Sequence, residues 1–375
     1  MTVVIVSNGF ADGPAQALRD YLVARGVRVV TIFHPLTPEQ GTQHRITVYA
    51  DGAQVRERRV RLLLKPPASF VLDPFVPLLP AQVDAWFGFN PLACARGLVA
   101  RGQRRARRVV LWSVDVVPDR FGSRTLPTRI YDRIDRLCCR RADARVELSE
   151  AARDGRNRRH DLPPESSDAY VVPMGAWIDR VPTTPTDGFG QHRVVFLGHL
   201  VARQGVGTLL AALATLRNVA ADVIGTGPLE TELREHVKRE GLDVTFHGYV
   251  EDHREIEKLL SRSSVAVAPY AETDETFTRY ADPGKLKAYL AAGLPIVLTD
   301  VPPNARELAS EAGAEVVADD PAALADAISH ALASPEQWRA RRASALAYAR
   351  RFDWDVLLGN LLAELDLSPS AKPAR

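Results

Sequence analysis

The sequence predicts an α/β protein built from two doubly wound, Rossmann-like domains, each an open parallel sheet flanked by helices. Three observations carry the prediction. Short apolar runs alternate with helical patterns from end to end, a stretch rich in Pro, Thr, Gly and Asp interrupts the alternation near the middle, and the same alternation then restarts. With 375 residues, 46% hydrophobic and 25% charged, the chain has material for two cores.

Val3 to Val6 is a continuous apolar run that passes straight into Ser7-Asn-Gly9. It reads as a buried strand, being too short and lacking the basic flank of a secretion signal. A helix runs from Pro14 to Arg25, Gly26 ends it, and Val27 to Phe33 makes the next strand. Further strands are expected at Ala85 to Phe89, Arg108 to Ser113, Ala144 to Leu148 and Ala169 to Val172, with helices at Pro91 to Arg101, Thr128 to Arg140 and Ser149 to Arg158. Between Pro173 and Gly190 the composition shifts, most clearly in Pro182-Thr-Thr-Pro-Thr-Asp-Gly188, which marks a domain junction. Strands then fall at His192 to Leu197, Ala221 to Ile224, Val244 to His247, Val265 to Pro269, Pro295 to Thr299 and Ala314 to Val317. The intervening helices run from Gly205 to Leu216, Leu229 to Glu240 and Arg254 to Ser261, then start at Asp282 and Asn304, with long helices after Pro321. The polar tail from Ser368 to Arg375 reads as disordered.

Forty-eight basic residues against 46 acidic ones leave a net charge of +2, which argues against a nucleic-acid partner. Basic charge is local, in Arg101-Gly-Gln-Arg-Arg-Ala-Arg-Arg108. That run fits a peripheral contact with the inner face of a membrane or with an anionic acceptor, although such runs more often make a solvated connection between helix and strand. The three cysteines, Cys94, Cys138 and Cys139, form neither a disulfide framework nor a zinc spacing and suit a reducing, cytoplasmic setting. No apolar run approaches a membrane span.

Chemistry is most legible in Asp282-Pro-Gly-Lys-Leu-Lys-Ala-Tyr-Leu-Ala-Ala-Gly-Leu-Pro295. Asp282 is a good N-cap, Pro283 suits the first helical position, Gly293 the position past the end, and Pro295 stops the helix. A lysine in the first turn opposes the helix dipole unless an anion sits there, so Lys285 points to an anion site; a solvated pair of lysines beside Asp282 fits the segment equally. Residues two apart on a helix project about 200° from one another, so Lys285 and Lys287 cannot both grip one phosphate. Leu286, Tyr289 and Leu290 define the buried stripe and leave the two lysines on its opposite flanks; Lys285, in the first turn with the free amides, is read as the charge contact and Lys287 as a bystander.

The second half carries, in this order, Phe196-Leu-Gly-His-Leu200, Gly205-Val206, Ile224-Gly-Thr-Gly-Pro-Leu-Glu230, Phe246-His-Gly-Tyr-Val250, Ala268-Pro-Tyr270, Leu290-Ala-Ala-Gly-Leu-Pro-Ile-Val297 and Phe352-Asp-Trp354. With these motifs in this order it strongly resembles glycosyltransferase family 4, retaining enzymes of the GT-B fold. Val171-Val-Pro-Met-Gly-Ala-Trp-Ile-Asp179 is similar to its interdomain segment, and the likeness covers most of 171–365. The first half resembles it loosely, through Val110 to Phe121 and Ala142 to Ser149. The resemblance implies an acceptor domain, 1–178, completed by a returning C-terminal helix at about 353–366, a nucleotide-sugar donor domain, 179–352, and ligands in the cleft where the two sheets face each other.

It also implies roles. The amides around Gly284 and Lys285 face a diphosphate, Gly225 and Gly227 admit the nucleotide, and Tyr249 and Val250 hold the base, although for the two glycines an ordinary turn and for the last pair a buried strand end read the same. Where the family carries Gly-Arg and Lys-Gly, this chain has Gly198-His199 and Gln204-Gly205, so two cations are missing; Arg203 and His199 are candidate substitutes. The family's paired glutamates fall near Tyr280 and on Ala288, leaving Asp282 and the acidic loop Glu272-Thr-Asp-Glu275 as candidate sugar contacts.

In the first half, Asn8, Gly9, Asp12 and Gly13 form a strand-to-helix loop expected at the acceptor, and Phe89 and Asn90 a second one; a simple turn and a core position are the competing readings. Asp115, where family members often have histidine, is the candidate catalytic carboxylate, with a structural pair to Arg120 as its alternative. The expected reaction is transfer of a sugar from a nucleotide diphosphate to a hydroxyl on a small-molecule, glycan or lipid-linked acceptor, with retention and no obligatory metal or other cofactor. A GT-B epimerase or hydrolase and a non-catalytic sugar-nucleotide-binding subunit stand as alternatives. An enzyme of the first kind would consume donor without acceptor, and the second would bind nucleotide without turnover.

Overall fold

The computed structural model describes residues 1–9, 13–35, 40–61, 64–66, 68–71, 82–114, 121–163, 168–250, 252–272 and 282–369. Asp12, Asp115, Arg120, Tyr280, the loop 273–275 and the tail from 370 onward, all singled out in the sequence, lie outside the described residues. The chain divides into two compact units, Met1–Pro173 with Trp354–Arg375, and Met174–Asp353.

The first unit is an eight-stranded sheet in the order β4-β3-β2-β1-β5-β6-β7-β8. Its strands are β1 (Thr2–Asn8), β2 (Arg28–His34), β3 (Gln43–Ala50), β4 (Ala53–Arg61), β5 (Val83–Gly88), β6 (Ala106–Ser113), β7 (Ala144–Glu147) and β8 (Ala169–Val171). The helices are α1 (Pro14–Ala24), α2 (Pro91–Gly102), α3 (Leu126–Arg141), α4 (Glu150–His160) and the C-terminal α12 (Trp354–Glu364). Both faces are covered: Val4 and Val6 pack with Ala93 and Cys94 of α2 and Cys138 of α3, while Val3 and Ile5, pointing the other way by the period of the strand, are also fully buried. α12 packs on α1, where Arg25 reaches Asp355 at 2.9 Å.

One part of this sheet departs from an all-parallel expectation. β3 and β4 form an antiparallel hairpin that continues the sheet beyond β2. On β3 the side chains of His44, Ile46 and Val48 are buried, but their cross-strand neighbours on β4 are Val60, Arg58 and Arg56, and β4 is exposed almost throughout. A charged edge strand of this kind blocks further strand addition.

β7 carries two charged residues into the interior. Glu147 is fully buried and sits 2.8 Å from Nε of Arg156, itself buried, whose guanidinium also bonds Asp135. His160 Nε2 lies 2.8 Å from the same Asp135 carboxylate. Asp135, Cys139 and His160 have the composition of a metal triad, but Arg156 already neutralises the carboxylate such a site would need, so the cluster reads as an internal ion network.

The second unit is a six-stranded parallel sheet, β11-β10-β9-β12-β13-β14. Its strands are β9 (Arg193–Leu197), β10 (Ala220–Ile224), β11 (Val244–Gly248), β12 (Val265–Ala268), β13 (Ile296–Thr299) and β14 (Glu315–Val317). The helices are α5 (Val206–Leu213), α6 (Glu230–Glu240), α7 (His253–Ser261), α8 (Gly284–Ala291), α9 (Ala305–Ala312), α10 (Pro321–Ala331) and α11 (Pro335–Ala349). Alternate strand residues face opposite layers. Val195, Ala266, Ala268 and Leu298 pack toward α8, α9 and α11, whereas Val194, Phe196, Val267 and Val297 pack toward α5 and α10. This doubly wound arrangement gathers the loops after β9, β10 and β12 and the starts of α5 and α8 at the carboxyl edge of the sheet, the ligand edge of such folds.

Candidate functional site

At that edge the structure assembles a cation. α8 begins at Gly284 with Pro283 in the N-cap position, and no side chain caps it. Lys285 in its first turn is half-buried, and its Nζ donates to Gln204 Oε1 at 2.6 Å. The ammonium lies 4.4 Å from the ring centre of Phe196 and 4.3 Å from that of Tyr270, so two aromatic faces flank it. Burial pulls its pKa down from 10.5 to about 7. Tyr289 fixes this corner by accepting the amide of Leu197 at 2.7 Å, and Thr299 does so by donating to the Tyr270 carbonyl at 2.7 Å.

The pKa of Lys285 has a consequence for stability. Between pH 7 and 10.5 the unfolded chain holds a proton on this amine that the folded chain has released, so stability rises with pH across that window. In Lys285→Met that contribution disappears. Urea midpoints at pH 7 and pH 9 are therefore expected to differ less in the variant than in the parent; an equal difference would show that the amine titrates normally in the fold.

Gln204 stands where the resembled family has lysine, and it is the partner of Lys285. A charge missing from one loop is thus delivered to the same place from α8. Gly198, after β9, is close by, since a Cβ there would stand 3.4 Å from Nζ of Lys285 and 3.3 Å from Oε1 of Gln204. Gly205, with φ of 68°, would place a Cβ 1.5 Å from the carbonyl oxygen of Pro269, so its missing side chain lets the α5 start dock on the end of the β12 segment. Gly225 has the same explanation: a Cβ would fall 2.0 Å from the Gly198 carbonyl oxygen, and Gly227 packs likewise on Leu200. Close backbone packing alone accounts for both, so neither needs a nucleotide to explain it.

Other sequence candidates separate clearly. His199 is exposed and Arg203 half-buried beside Gln204. Tyr249, just past β11, is 68% exposed, while its neighbour Val250 packs against the apolar layer under α8. Ala288 is buried in that layer and offers nothing to a ribose. Glu272 is exposed, and its amide bonds Asp319 at 3.1 Å.

Two readings of the α8 segment are corrected. Asp282 does not cap the helix: its carboxylate accepts the Met174 amide at 2.7 Å, receives Lys287 Nζ, and lies 3.4 Å from Asn304 Nδ2. Lys287 is not a solvated bystander, being 2% exposed, paired with Asp282 and 4.5 Å from the Phe352 ring centre. The pair anchors the chain at Met174 to the start of α8, and its signal in the sequence is an acid just before a largely apolar helix and a lysine five positions on within it.

In the first unit, Asn8 and Asn90 come together at the carboxyl ends of β1 and β5, with Asn90 Nδ2 donating to Asn8 Oδ1 at 2.6 Å. Asn90 also caps α2 by accepting the Ala93 amide, and Gly9 bonds the His34 carbonyl at 2.8 Å. Gly13 is the extended N-cap of α1. Phe89 is corrected: it is 4% exposed and stacked on Trp112 at 5.0 Å, a core residue with no face for a sugar.

Comparison with known proteins now bears on this site. Residues 191–334 match the model of the family described as glycosyl transferases group 1. That segment is similar to the group 1 glycosyl transferases. Gly198, His199, Arg203, Gly225, Gly227, Tyr249, Val250, Asp282, Gly284 and Lys285 all lie within this group 1 segment, whereas the candidates of the first unit lie outside it. Phosphatidyl-myo-inositol mannosyltransferase of Mycobacterium leprae is 32% identical over 228 residues, which are 58% of this chain and 57% of that protein's length. Among solved structures, sucrose-phosphate synthase of Thermosynechococcus elongatus superposes with a TM-score of 0.72 at 17% identity, covering 97% of this chain and 99% of that one. Anabaena HepE in complex with UDP-glucose gives 0.68 at 18%, covering 98% and 99%. The group 1 segment is therefore part of a chain with the GT-B fold.

Proposed function

We propose that the chain transfers a sugar from a nucleoside diphosphate donor to an acceptor hydroxyl, with retention of anomeric configuration. The observation that carries this reading is Lys285, an enclosed ammonium at a helix start whose hydrogen bond goes to a neutral amide. A departing diphosphate accumulates charge on its oxygens, and a preorganised cation beside exposed helix amides stabilises that charge more than it stabilises the intact donor. Tyr249, exposed just past β11, is assigned to the base, and the relatives support a nucleotide-sugar donor, HepE having been solved with UDP-glucose. Membership of family 4 within the group, and with it retention, rests on the order of the motifs. Asp115 is assigned to the acceptor hydroxyl on the same grounds. The reading asks for no metal, because Lys285 and the α8 amides supply the positive charge, so turnover is expected to survive EDTA. The acceptor is a small molecule, glycan or lipid-linked hydroxyl, and the three free cysteines suit a cytoplasmic setting.

Thermal-shift measurement with UDP, GDP and ADP and their sugars tests the donor side, since a ligand bound only by the folded chain raises its melting temperature in proportion to the logarithm of its concentration. One base is expected to give a shift that Lys285→Met reduces. A flat response to all of them would sink the proposal, as would an equal response in the variant.

A further inference from the structure

α3 carries an apolar stripe on its outer face as well as its inner one. Its buried residues include Thr128, Asp135 and Cys138, while Leu126, Ile130 and Leu137 are 67%, 47% and 49% exposed. At 100° per residue these three side chains fall within an arc of about 40°. Arg129, Arg133, Arg140 and Arg141 are exposed too, all within about 80° of the centre of that arc, while Arg136, about 100° from it, pairs with Asp161 at 3.4 Å. The two acids of the helix are elsewhere on its circumference: Asp132 pairs with Arg159 at 2.8 Å, and Asp135 is taken up by Arg156 and His160. Folding of the unit does not require an outward apolar stripe, since such a stripe loses the burial that ordinarily selects it.

We propose that the outer face of α3 docks on an anionic bilayer surface, the Leu126, Ile130 and Leu137 side chains entering the acyl boundary and the arginines meeting headgroup phosphates. Charge selects this occupant. A second copy of the chain laid on the same face would set arginines against arginines. Nucleic acid would leave the aliphatic stripe unused, and the helix's one aromatic, Tyr131, is packed on Phe121 at 5.6 Å between ring centres. An apolar line flanked by guanidinium groups matches the interfacial layering of a membrane. No helix among the described residues is long and apolar enough to cross a membrane, so contact of this type lies along the surface.

The arginine run that the sequence suggested for this task is largely engaged elsewhere. Arg101 pairs with Asp143 at 2.6 Å and bonds the Arg141 carbonyl, Arg107 lies 3.6 Å from Asp84, and Arg108 binds Asp366 and the Leu365 carbonyl. The inference is independent of the donor reading and is tested without turnover. The full chain is sedimented with vesicles of phosphatidylcholine alone and of equal parts phosphatidylcholine and phosphatidylglycerol. Binding is expected only to the anionic vesicles, weakening with salt. Leu126→Ser/Ile130→Ser/Leu137→Ser and Arg129→Glu/Arg133→Glu/Arg140→Glu should each weaken it by about tenfold or more, with melting temperature unchanged because the replaced side chains are exposed. Arg104→Glu/Arg105→Glu should bind as the parent does. Parental binding by either α3 variant overturns the proposal, and so does loss of binding in the Arg104 and Arg105 variant alone. Concentration-dependent self-association abolished by the serine variant, without vesicle binding, would assign the face to a second copy instead.

Discussion

Lys285→Met is expected to reduce turnover with a nucleotide-sugar donor by about 10²–10³-fold, the usual consequence of removing one group that stabilises developing negative charge. Methionine keeps the aliphatic stem between Phe196 and Tyr270 and removes the cost of burying the amine, so stability at neutral pH should not fall. The pKa of about 7 adds a signature that a structural lysine would not give. A diphosphate beside the amine favours its charged form, so donor binding near neutral pH should take up a proton, and affinity should fall as pH rises above 7. Calorimetry in buffers of different ionisation enthalpy measures that uptake directly. Unchanged kinetics in the variant, or binding without proton uptake in the parent, would remove Lys285 from the donor site.

The sequence points to the proposed anion site more fully than to its surroundings. Gly293 and Pro295 fixed the end of α8, and the position of Lys285 in the first turn followed from the helix start to within two residues. Gln204 looked like a lost cation because a single sequence shows which residue occupies a loop but not what reaches it from another helix, and Lys285 lies 81 positions away. Lys287 was misread for a related reason. The helical pattern counted Leu286, Tyr289 and Leu290 as the buried stripe, yet 286–291 are all buried, because α8 is enclosed by the sheet and by α11. A lysine tolerates that setting only with an acid buried beside it.

The fold followed the same division. Parallel strands announced themselves as apolar runs, since both faces of each are covered. The β3 and β4 hairpin went unread: β4 has the sequence Ala-Gln-Val-Arg-Glu-Arg-Arg-Val-Arg, with no apolar face to set a period, and it is a strand only because β3 offers it an edge. Phe89 sat after a strand, where an aromatic serves core or ligand equally well, and the stacking partner that decided for the core, Trp112, belongs to a different strand.

Lys287→Met should be the more damaging change to the fold, although both lysines occupy one short helix. It leaves the Asp282 carboxylate, whose side chain is 6% exposed, without its charge partner, and breaking such a pair costs about 3–5 kcal/mol. The hydrogen bonds from Met174 and Asn304 do not replace a cation. Asp282→Asn/Lys287→Met removes both charges, so it should recover part of the loss; the amide oxygen can still accept from Met174. Urea denaturation of the two single variants and the double variant gives the coupling, expected to exceed about 1 kcal/mol for groups in direct contact. A loss below that in Lys287→Met would mean that Asp282 finds water or another donor once Lys287 is gone. Activity separates the two lysines as well. Folded Lys287→Met should retain the proton uptake set by Lys285, because its ammonium meets Asp282 and the Phe352 ring rather than Gln204. On the proposed function, stability and catalysis are thus divided between side chains two residues apart, one holding the start of α8 against Met174 and the other presenting charge from it.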